Sequence, residues 1–368
     1  LREFWLKRRD LLLANPRFQR WVSSFPLTKA TAEKKANKLF DICAGFVYSQ
    51  ILSACIQLKV FDLLSDGPRS LESLSKDMGL SDNAAANLLD AACSLDLVEK
   101  RKDSKYRLGE LGAALLGNPG IDAMIQHHDK LYIDLQDPVA LLKDLNKPTE
   151  LSKYWAYAQA QNPEDLQDHQ TSEYSQLMSD SMSLLAEDIL DSYSFEEHKC
   201  LLDLGGGSGT FVINVCKRWT GLQAQLFDLP AVEKLANERM QKHGMANRVS
   251  TVPGNLFTSP LPTGADVISL VRICHDHNDE DIRLLLSKVF DALPEGGCLI
   301  IAEPMAGTPG AKSVGDAYFG FYLLAMRSGR PRKPEELIQL LHEVGFKSCQ
   351  QLSTPRPLIT QIITANKA

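Results

Sequence analysis

The sequence predicts an α/β protein. A mostly parallel sheet, covered on both faces and carrying one antiparallel strand, follows a mainly helical domain that contains a winged-helix unit. Three observations carry this prediction. From residue 199 onward, short β-rich runs alternate with segments of helical period, which is the pattern of a parallel sheet. DLGGGSGTF at 203–211 joins an apolar run to a helical one, where a glycine-rich turn lets backbone approach a ligand. Ahead of both, two short helical patterns precede two β-rich runs around a polar turn.

A chain of 368 residues exceeds one compact core. The expected boundaries are 1–118 for a helical and winged-helix front, 119–196 for a helical linker and substrate-pocket region, and 197–368 for the sheet domain. Residues 1–40 hold ten Lys/Arg against three acids, a charge of +7, so the remainder carries −6 − 7 = −13. Phe4, Trp5, Leu11, Leu12, Leu13, Phe18, Trp21 and Phe25 are interleaved with these basic residues. Two readings of this head stay open: it lies on an anionic membrane surface, or it packs on a partner subunit. No uninterrupted apolar run approaches the roughly 18 residues of a membrane span, and no secretory signal is legible. The expectation is a cytoplasmic protein, with peripheral contact at the inner membrane as one reading of the head. The eight cysteines are scattered without C-x-x-C spacing, which predicts neither disulfides nor zinc.

Residues 39–65 keep apolar side chains on more than one helical face, which predicts a core helix buried against others. RSLESLSKDMGL and SDNAAANLLDAACSLDL read as two capped helices, and LVEK and KYRLG as strands around RKDS. Such a unit can bind DNA, but residues 81–97 contain Asp82, Asp90 and Asp96 and no Lys or Arg. Groove binding is dominated by basic contacts to phosphate, so no nucleic-acid partner is expected and the unit reads as a dimerisation and substrate-wall domain. Residues 121–196 read as helical, with a loop signal at QNPED and a longer helix around SEYSQLMSDSMSLLAEDILDSY. The strands beyond are KCLLDLG, LQAQLFDL, RVSTVPG, ADVISLV and GGCLIIAE, with helices after Gly209 and around 231–243, 279–293 and 334–344. SCQQLST and LITQIITANK form a final hairpin that places one antiparallel strand in the sheet.

The glycine run does not fit a dinucleotide fingerprint, because the sixth place counted from Gly205 is Thr210, and no Lys-Ser/Thr follows as a phosphate loop requires. What it does present is acid-x-Gly-x-Gly-x-Gly in Asp203, Gly205, Gly207 and Gly209, with a second acid, Asp228, ahead of Leu229 in LFDLP. A carboxylate at a strand end offers two acceptor oxygens to a pair of ribose hydroxyls. In PGNLF, Asn255 with its neighbour Leu256 is either a ligand contact, through the amide oxygen, or simply part of a turn. VRICHDHNDE at 271–280 is on composition a metal site, a base at a strand end or a polar loop. His275 and His277 stand two apart with no further ligand set at recognisable spacing, so no metal is expected.

Together these motifs resemble the S-adenosylmethionine-dependent small-molecule O-methyltransferases, the family of the acetylserotonin and caffeic acid enzymes. DLGGGSG, FDLP, GN-F, R-x-x-HD and EGG-L-I-x-E span the sheet domain in the family's order, and the winged-helix front matches too. PRFQRWVSSFPLT, LFDICAGFVYSQ and DAYFGFYLLAMRSGRPR resemble, more narrowly, the carotenoid 1-hydroxy (hydroxyneurosporene or demethylspheroidene) O-methyltransferases. The resemblance implies a Rossmann-like class I methyltransferase sheet, S-adenosyl-L-methionine as cofactor, a homodimer and a lipophilic small-molecule substrate. It implies that Asp203, Gly205, Gly207, Asp228, Leu229, Asn255, Leu256 and Arg272 hold the cofactor, and that His275 is the general base with Glu303 beside it to fix the imidazole tautomer. Structural ion pairs are the alternative roles of Arg272 and Glu303.

The chemistry so implied is an in-line displacement in which the protein aligns the reacting atoms and removes the hydroxyl proton. An imidazole of reference pKa about 6.5 does not deprotonate a tertiary alcohol in advance, so proton removal is expected late and concerted with transfer. One departure stands out: GRPRKP has Pro331 where phenol-methylating relatives place a second carboxylate. AYFGFYLLAM, including Phe321, and GFVYSQIL are expected to line a long apolar pocket. The rival readings are an O- or C-methyltransferase for an aromatic or tetrapyrrole substrate, and a catalytically inactive winged-helix scaffold or regulator.

Overall fold

Three helices begin the chain, Arg2–Leu13, Pro16–Ser24 and Pro26–Gln57, in a computed structural model that describes residues 2–116, 118–155 and 168–368. Asn15 caps the second by accepting the backbone N–H groups of Arg17 and Phe18, and proline opens both the second and the third, where its missing N–H costs nothing. The expectation of a buried core helix over 39–65 is corrected here. The helix ends at Gln57, its buried residues are Ser53, Cys55 and Ile56, and Leu39, Phe40, Ile42, Phe46 and Val47 are exposed in the single chain. Its apolar stripe therefore faces away from the chain's own core. By length and composition this helix is also apolar enough to cross a membrane, which counting uninterrupted apolar runs did not anticipate.

The chain divides into two compact units, Leu1–Gly117 and Asn118–Ala368. In the first, the expected winged-helix elements form. Ser70 and Ser81 cap the helices Leu71–Met78 and Asp82–Ser94, and Gly79 closes the former in the left-handed conformation, as a C-terminal glycine does. Leu74, Met78, Ala85, Leu89 and Ala92 are buried. Strands β1 (Val98–Lys100) and β2 (Tyr106–Leu108) pair antiparallel. Asp90 accepts from Lys100 Nζ and Tyr106 Oη, each at 3.0 Å, so this acid of the second helix is bound to the wing.

The second unit is built on β3 (Cys200–Leu204), β4 (Gln223–Asp228), β5 (Val249–Pro253), β6 (Val267–Val271), β7 (Cys298–Glu303), β8 (Lys347–Leu352) and β9 (Gln361–Asn366). Among the described residues they form one sheet in the order β5-β4-β3-β6-β7-β9-β8. β9 runs antiparallel to β7 and β8, and the other pairs are parallel. β6 and β7 are buried along their whole length, as expected of strands covered on both faces. Helices Thr210–Arg218, Pro230–Lys242, Asp279–Ala292 and Pro334–Val344 fall where the periodicity places them. The segment read as a linker contributes helices Pro119–Asp134 and Asp168–Ser192 to this same unit. The loop signal QNPED lies outside the described residues. Strand order reverses between β3 and β6, and the crevice beyond the carboxyl ends of such strands is where open α/β sheets bind ligands.

Candidate active site

The turn after β3 leaves its backbone bare. Gly205, Gly207 and Gly209 have φ of +66°, +57° and +80°, values that a side chain tolerates poorly. A Cβ on Gly206 would fall 2.6 Å from Asp203 Oδ2, whereas one on Gly207 would meet open space. Asp203 itself is 1 % exposed and lies beneath the loop, outside the residues that line the cavity described below. Its Oδ1 accepts from Ser269 Oγ at 2.6 Å and its Oδ2 has no partner. Burial pushes the carboxyl up to about 7; the Ser269 hydrogen bond opposes this and the Asp228 charge adds to it.

Asp228 ends β4 on the cavity wall. Its Oδ2 accepts the Gly207 N–H at 2.8 Å and its Oδ1 the Leu229 N–H at 2.7 Å, which ties the glycine loop to the second strand. Burial pushes this carboxyl up to about 6 against those two hydrogen bonds. Beyond β5, Asn255 is buried and its Oδ1 accepts the Phe257 N–H at 2.9 Å. The oxygen expected to meet the ligand is therefore already the acceptor of an Asx turn, with one lone pair remaining. Leu256 lines the cavity beside it, and its carbonyl accepts from Lys288 Nζ at 2.7 Å. Arg272 has a left-handed backbone, φ +57°, and sends Nη1 to Ser181 Oγ at 3.0 Å and Nη2 to Met178. It joins the end of β6 to the helix Asp168–Ser192.

His275 sits on a short 3₁₀ turn, Cys274–Asp276, and is 5 % exposed. Its Nε2 lies 3.0 Å from Asp276 Oδ1, its Nδ1 has no partner, and its ring stacks near that of Phe319. Glu303, fully buried at the end of β7, accepts the His275 backbone N–H on Oε2 at 3.0 Å. The expectation that Glu303 fixes the imidazole is thus corrected: Glu303 holds the backbone, and the ring's neighbour is Asp276. Burial alone would weaken proton binding on His275, but the Asp276 and Glu303 charges outweigh it and hold the imidazole above the ordinary histidine range. Burial likewise raises Glu303. His277 packs edge-on against Phe257.

A cavity of about 240 Å³ is lined by the glycine loop, Asp228, Leu229, Asn255, Leu256, Arg272 and His275, and by an apolar wall from Met124, Trp155, Met178, Met182, Phe319 and Leu323. Phe321, expected on this wall, is 38 % exposed and is not among the lining residues; Tyr318, Phe319 and Tyr322 from the same run are. Sequence reasoning missed the polar chain within that wall. Trp155 Nε1–H donates to Tyr322 Oη at 3.1 Å. His127 Nδ1 lies 2.7 Å from the Met124 carbonyl, which can only accept, so Nδ1 carries the proton and Nε2 accepts from Tyr322 Oη at 2.8 Å. Burial pushes His127 down to about 4, so it is neutral at pH 7. His128 meets Tyr318 Oη at 2.7 Å. The adjacent histidines in IQHHDK were the available signal.

The residues present fit a cofactor of the implied kind, since bare backbone, a strand-end carboxylate and an apolar shelf meet in one cavity. Among the described residues, no group of three or more His, Cys, Asp or Glu could hold a metal ion. A family model described as an O-methyltransferase domain matches residues 132–347, and one described as an O-methyltransferase dimerisation domain matches residues 40–118. The demethylspheroidene O-methyltransferase of Cereibacter sphaeroides is 39 % identical over 96 % of this chain and 93 % of its own. That of Rhodobacter capsulatus is 41 % identical over 93 % of this chain and 85 % of its own. Among solved structures, human N-acetylserotonin methyltransferase in complex with SAM is similar in fold, at a TM-score of 0.75 and 23 % identity, covering 91 % of this chain and 98 % of that one.

Proposed function

The chain belongs to the S-adenosylmethionine-dependent O-methyltransferase family, and from that membership we propose that it methylates the tertiary hydroxyl of a 1-hydroxycarotenoid with His275 as general base. The observation that carries the substrate is the 39–41 % identity, over most of both chains, to enzymes named for demethylspheroidene. The apolar wall of the cavity suits a lipophilic acceptor, and the dimerisation domain makes the homodimer its assembly.

When bound, S-adenosylmethionine supplies an electrophilic methyl group on a sulfonium. Gly205 and Gly207 offer bare backbone to its amino-acid end, with Asp203 supporting the loop from beneath. Asp228 would accept the ribose hydroxyls, Leu229 and Leu256 would flank adenine and Asn255 would meet its amino edge, while Arg272 holds the cavity wall to the helix Asp168–Ser192. Neutral His275 has Nδ1 without a hydrogen-bond partner and Nε2 3.0 Å from Asp276 Oδ1, so Nδ1 is the nitrogen we assign to take the acceptor's proton. As that proton arrives, the Asp276 charge stabilises the imidazolium and Glu303 keeps the turn in place. Tertiary alcohols are weak acids, so this stabilisation acts late, when the oxygen attacks. Transfer of labelled methyl to a panel of 1-hydroxycarotenoids, simple phenols and bacteriochlorophyllide-like acceptors tests the substrate. Turnover is expected on the carotenoids, and turnover of phenols alone would refute it.

The head of the chain fits the same reading. Phe4, Trp5, Leu11, Leu12, Trp21 and Phe25 are exposed among basic residues and precede residue 40, where the dimerisation match begins. They are proposed to rest on the anionic cytoplasmic face of the inner membrane, where a carotenoid dissolves. Removing residues 1–30 should abolish co-sedimentation with anionic liposomes. Co-sedimentation that persists would leave the partner subunit as the head's contact.

A further inference from the structure

The turn that presents His275 has four consecutive carbonyls, and one segment of chain takes all of them. Arg332 Nη1 donates to Cys274 O at 2.5 Å, the Arg330 N–H to His275 O at 2.9 Å, Ser328 Oγ to Asp276 O at 2.6 Å, and Arg332 Nη2 to His277 O at 2.7 Å. A short 3₁₀ turn ordinarily leaves such carbonyls to water or to scattered partners. Gly329 lies flat against the turn with φ +73°; a Cβ there would collide with His275 O and stand 2.5 Å from the Asp276 carbonyl carbon. The Arg332 side chain is fully buried, and its charge is met by Asp279 Oδ1 at 2.7 Å, the first residue of the helix that follows the turn. Two hydrogen bonds to Asp279, from Arg330 and Arg332, outweigh its burial and hold its carboxyl below the usual carboxylate range. Pro331 has no N–H to place and a fixed φ, so it stiffens the segment between the two arginines.

We propose that Ser328–Arg332 is a positioning strap for the catalytic turn. The strap fixes the main chain under His275, and with it the distance from the imidazole to Asp276 and to the cavity. Ser328, Gly329 and Arg332 act through His275 and are positioning residues; the proposal rests on His275 being the base. A displacement of about 1 Å in such a group can lower a rate by about 100-fold, so the strap's contribution falls on kcat rather than on cofactor affinity.

Ser328→Ala, Gly329→Ala and Arg332→Lys in the full-length dimer test this, with His275→Ala alongside. Each is measured for kcat, for its pH–rate profile, for S-adenosylhomocysteine affinity by calorimetry and for melting temperature. Ser328→Ala should lower kcat about 5-fold and Gly329→Ala about 100-fold, with cofactor affinity within two-fold of the parent. Arg332→Lys keeps a cation for Asp279 but cannot reach both carbonyls; it should lower kcat about 10-fold and move the acid limb of the profile. Should Gly329→Ala not fold, Ser328→Ala, which loses one bond at a half-buried position, decides. Parental kcat in Ser328→Ala and Arg332→Lys beside an inactive His275→Ala overturns the strap alone. Losses matched by equal losses of cofactor affinity and melting temperature overturn it too. An active His275→Ala refutes the base, and the strap with it.

Discussion

Asp228→Asn is the substitution that separates a cofactor site from a merely well-made turn. Both carboxylate oxygens of Asp228 accept backbone N–H groups, Gly207 at 2.8 Å and Leu229 at 2.7 Å. An amide has one oxygen, so one N–H must face an NH₂ group. A donor left unsatisfied in a covered site costs about 1–3 kcal/mol, which weakens the loop with or without cofactor. Loss of one ribose acceptor falls in the same range and acts on binding alone, roughly 5- to 150-fold, so the dissociation constant of S-adenosylhomocysteine should rise by about 10-fold at pH 7. The pH dependence carries a second, independent sign. Burial pushes Asp228 up to about 6, so the wild type loses the ionised acceptor as pH falls through that value, and its affinity should fall with it; the Asn variant should lack this limb. Asp203, pushed up to about 7, titrates in a neighbouring window, so Asp203→Asn is titrated in parallel. The assay is isothermal calorimetry from pH 5 to 7.5. Wild-type affinity that stays flat across that range, or an Asn variant within two-fold of the parent, would refute the ribose assignment.

His275→Ala should keep cofactor affinity within two-fold and lose about 100-fold or more in turnover, and calorimetry beside a labelled-methyl assay reads both. Because His275 is held above the ordinary histidine range and must be neutral to act, the wild-type rate should climb with pH through a value above about 6.5. Asp276→Asn removes the larger of the two charges that raise it and leaves only Glu303 against burial, so the acid limb should move to lower pH while the plateau falls; a limb that stays in place argues against the Asp276 contact. Tyr322→Phe removes the hydroxyl that accepts from Trp155 Nε1–H and donates to His127 Nε2, at about 1–3 kcal/mol, and differential scanning should show a melting temperature lowered by several degrees. A paired change of Ile42 and Phe46 to Asp, on the exposed stripe of the helix Pro26–Gln57, should yield a monomer in analytical ultracentrifugation that still binds S-adenosylhomocysteine. An unchanged dimer mass would place the interface elsewhere.

The parts of this fold that read correctly from sequence are those with local physical causes. The caps Ser70 and Ser81 and the terminator Gly79 each act within one helical turn, and the strands of the sheet declare themselves by short apolar runs. The glycine loop and Asp228 were legible because left-handed backbone and a strand-end acid leave residue types behind. What escaped was long-range. The Asp276 partnership needed the turn's geometry, the Tyr322 chain joins residues 195 positions apart, and the strap brings Ser328 to Asp276 across 52 positions. The helix Pro26–Gln57 was misread for a different reason. An apolar stripe reports that something will cover it, and periodicity alone does not say whether the cover is the same chain or another.

The place of β9 in the sheet bears on the order in which this protein is made. Gln361–Asn366 is the last strand in sequence, yet it lies between β7 and β8 and is buried at all but its final residue. Until the ribosome has delivered it, β7 has an open edge of wholly apolar character, CLIIAE, capped only by its final acid. An unpaired edge of that kind is a template for pairing with another chain, and a pairing this late in the chain forms slowly. The nascent protein therefore spends the synthesis of some sixty residues with that edge of β7 unpaired, open to any other chain that offers a strand.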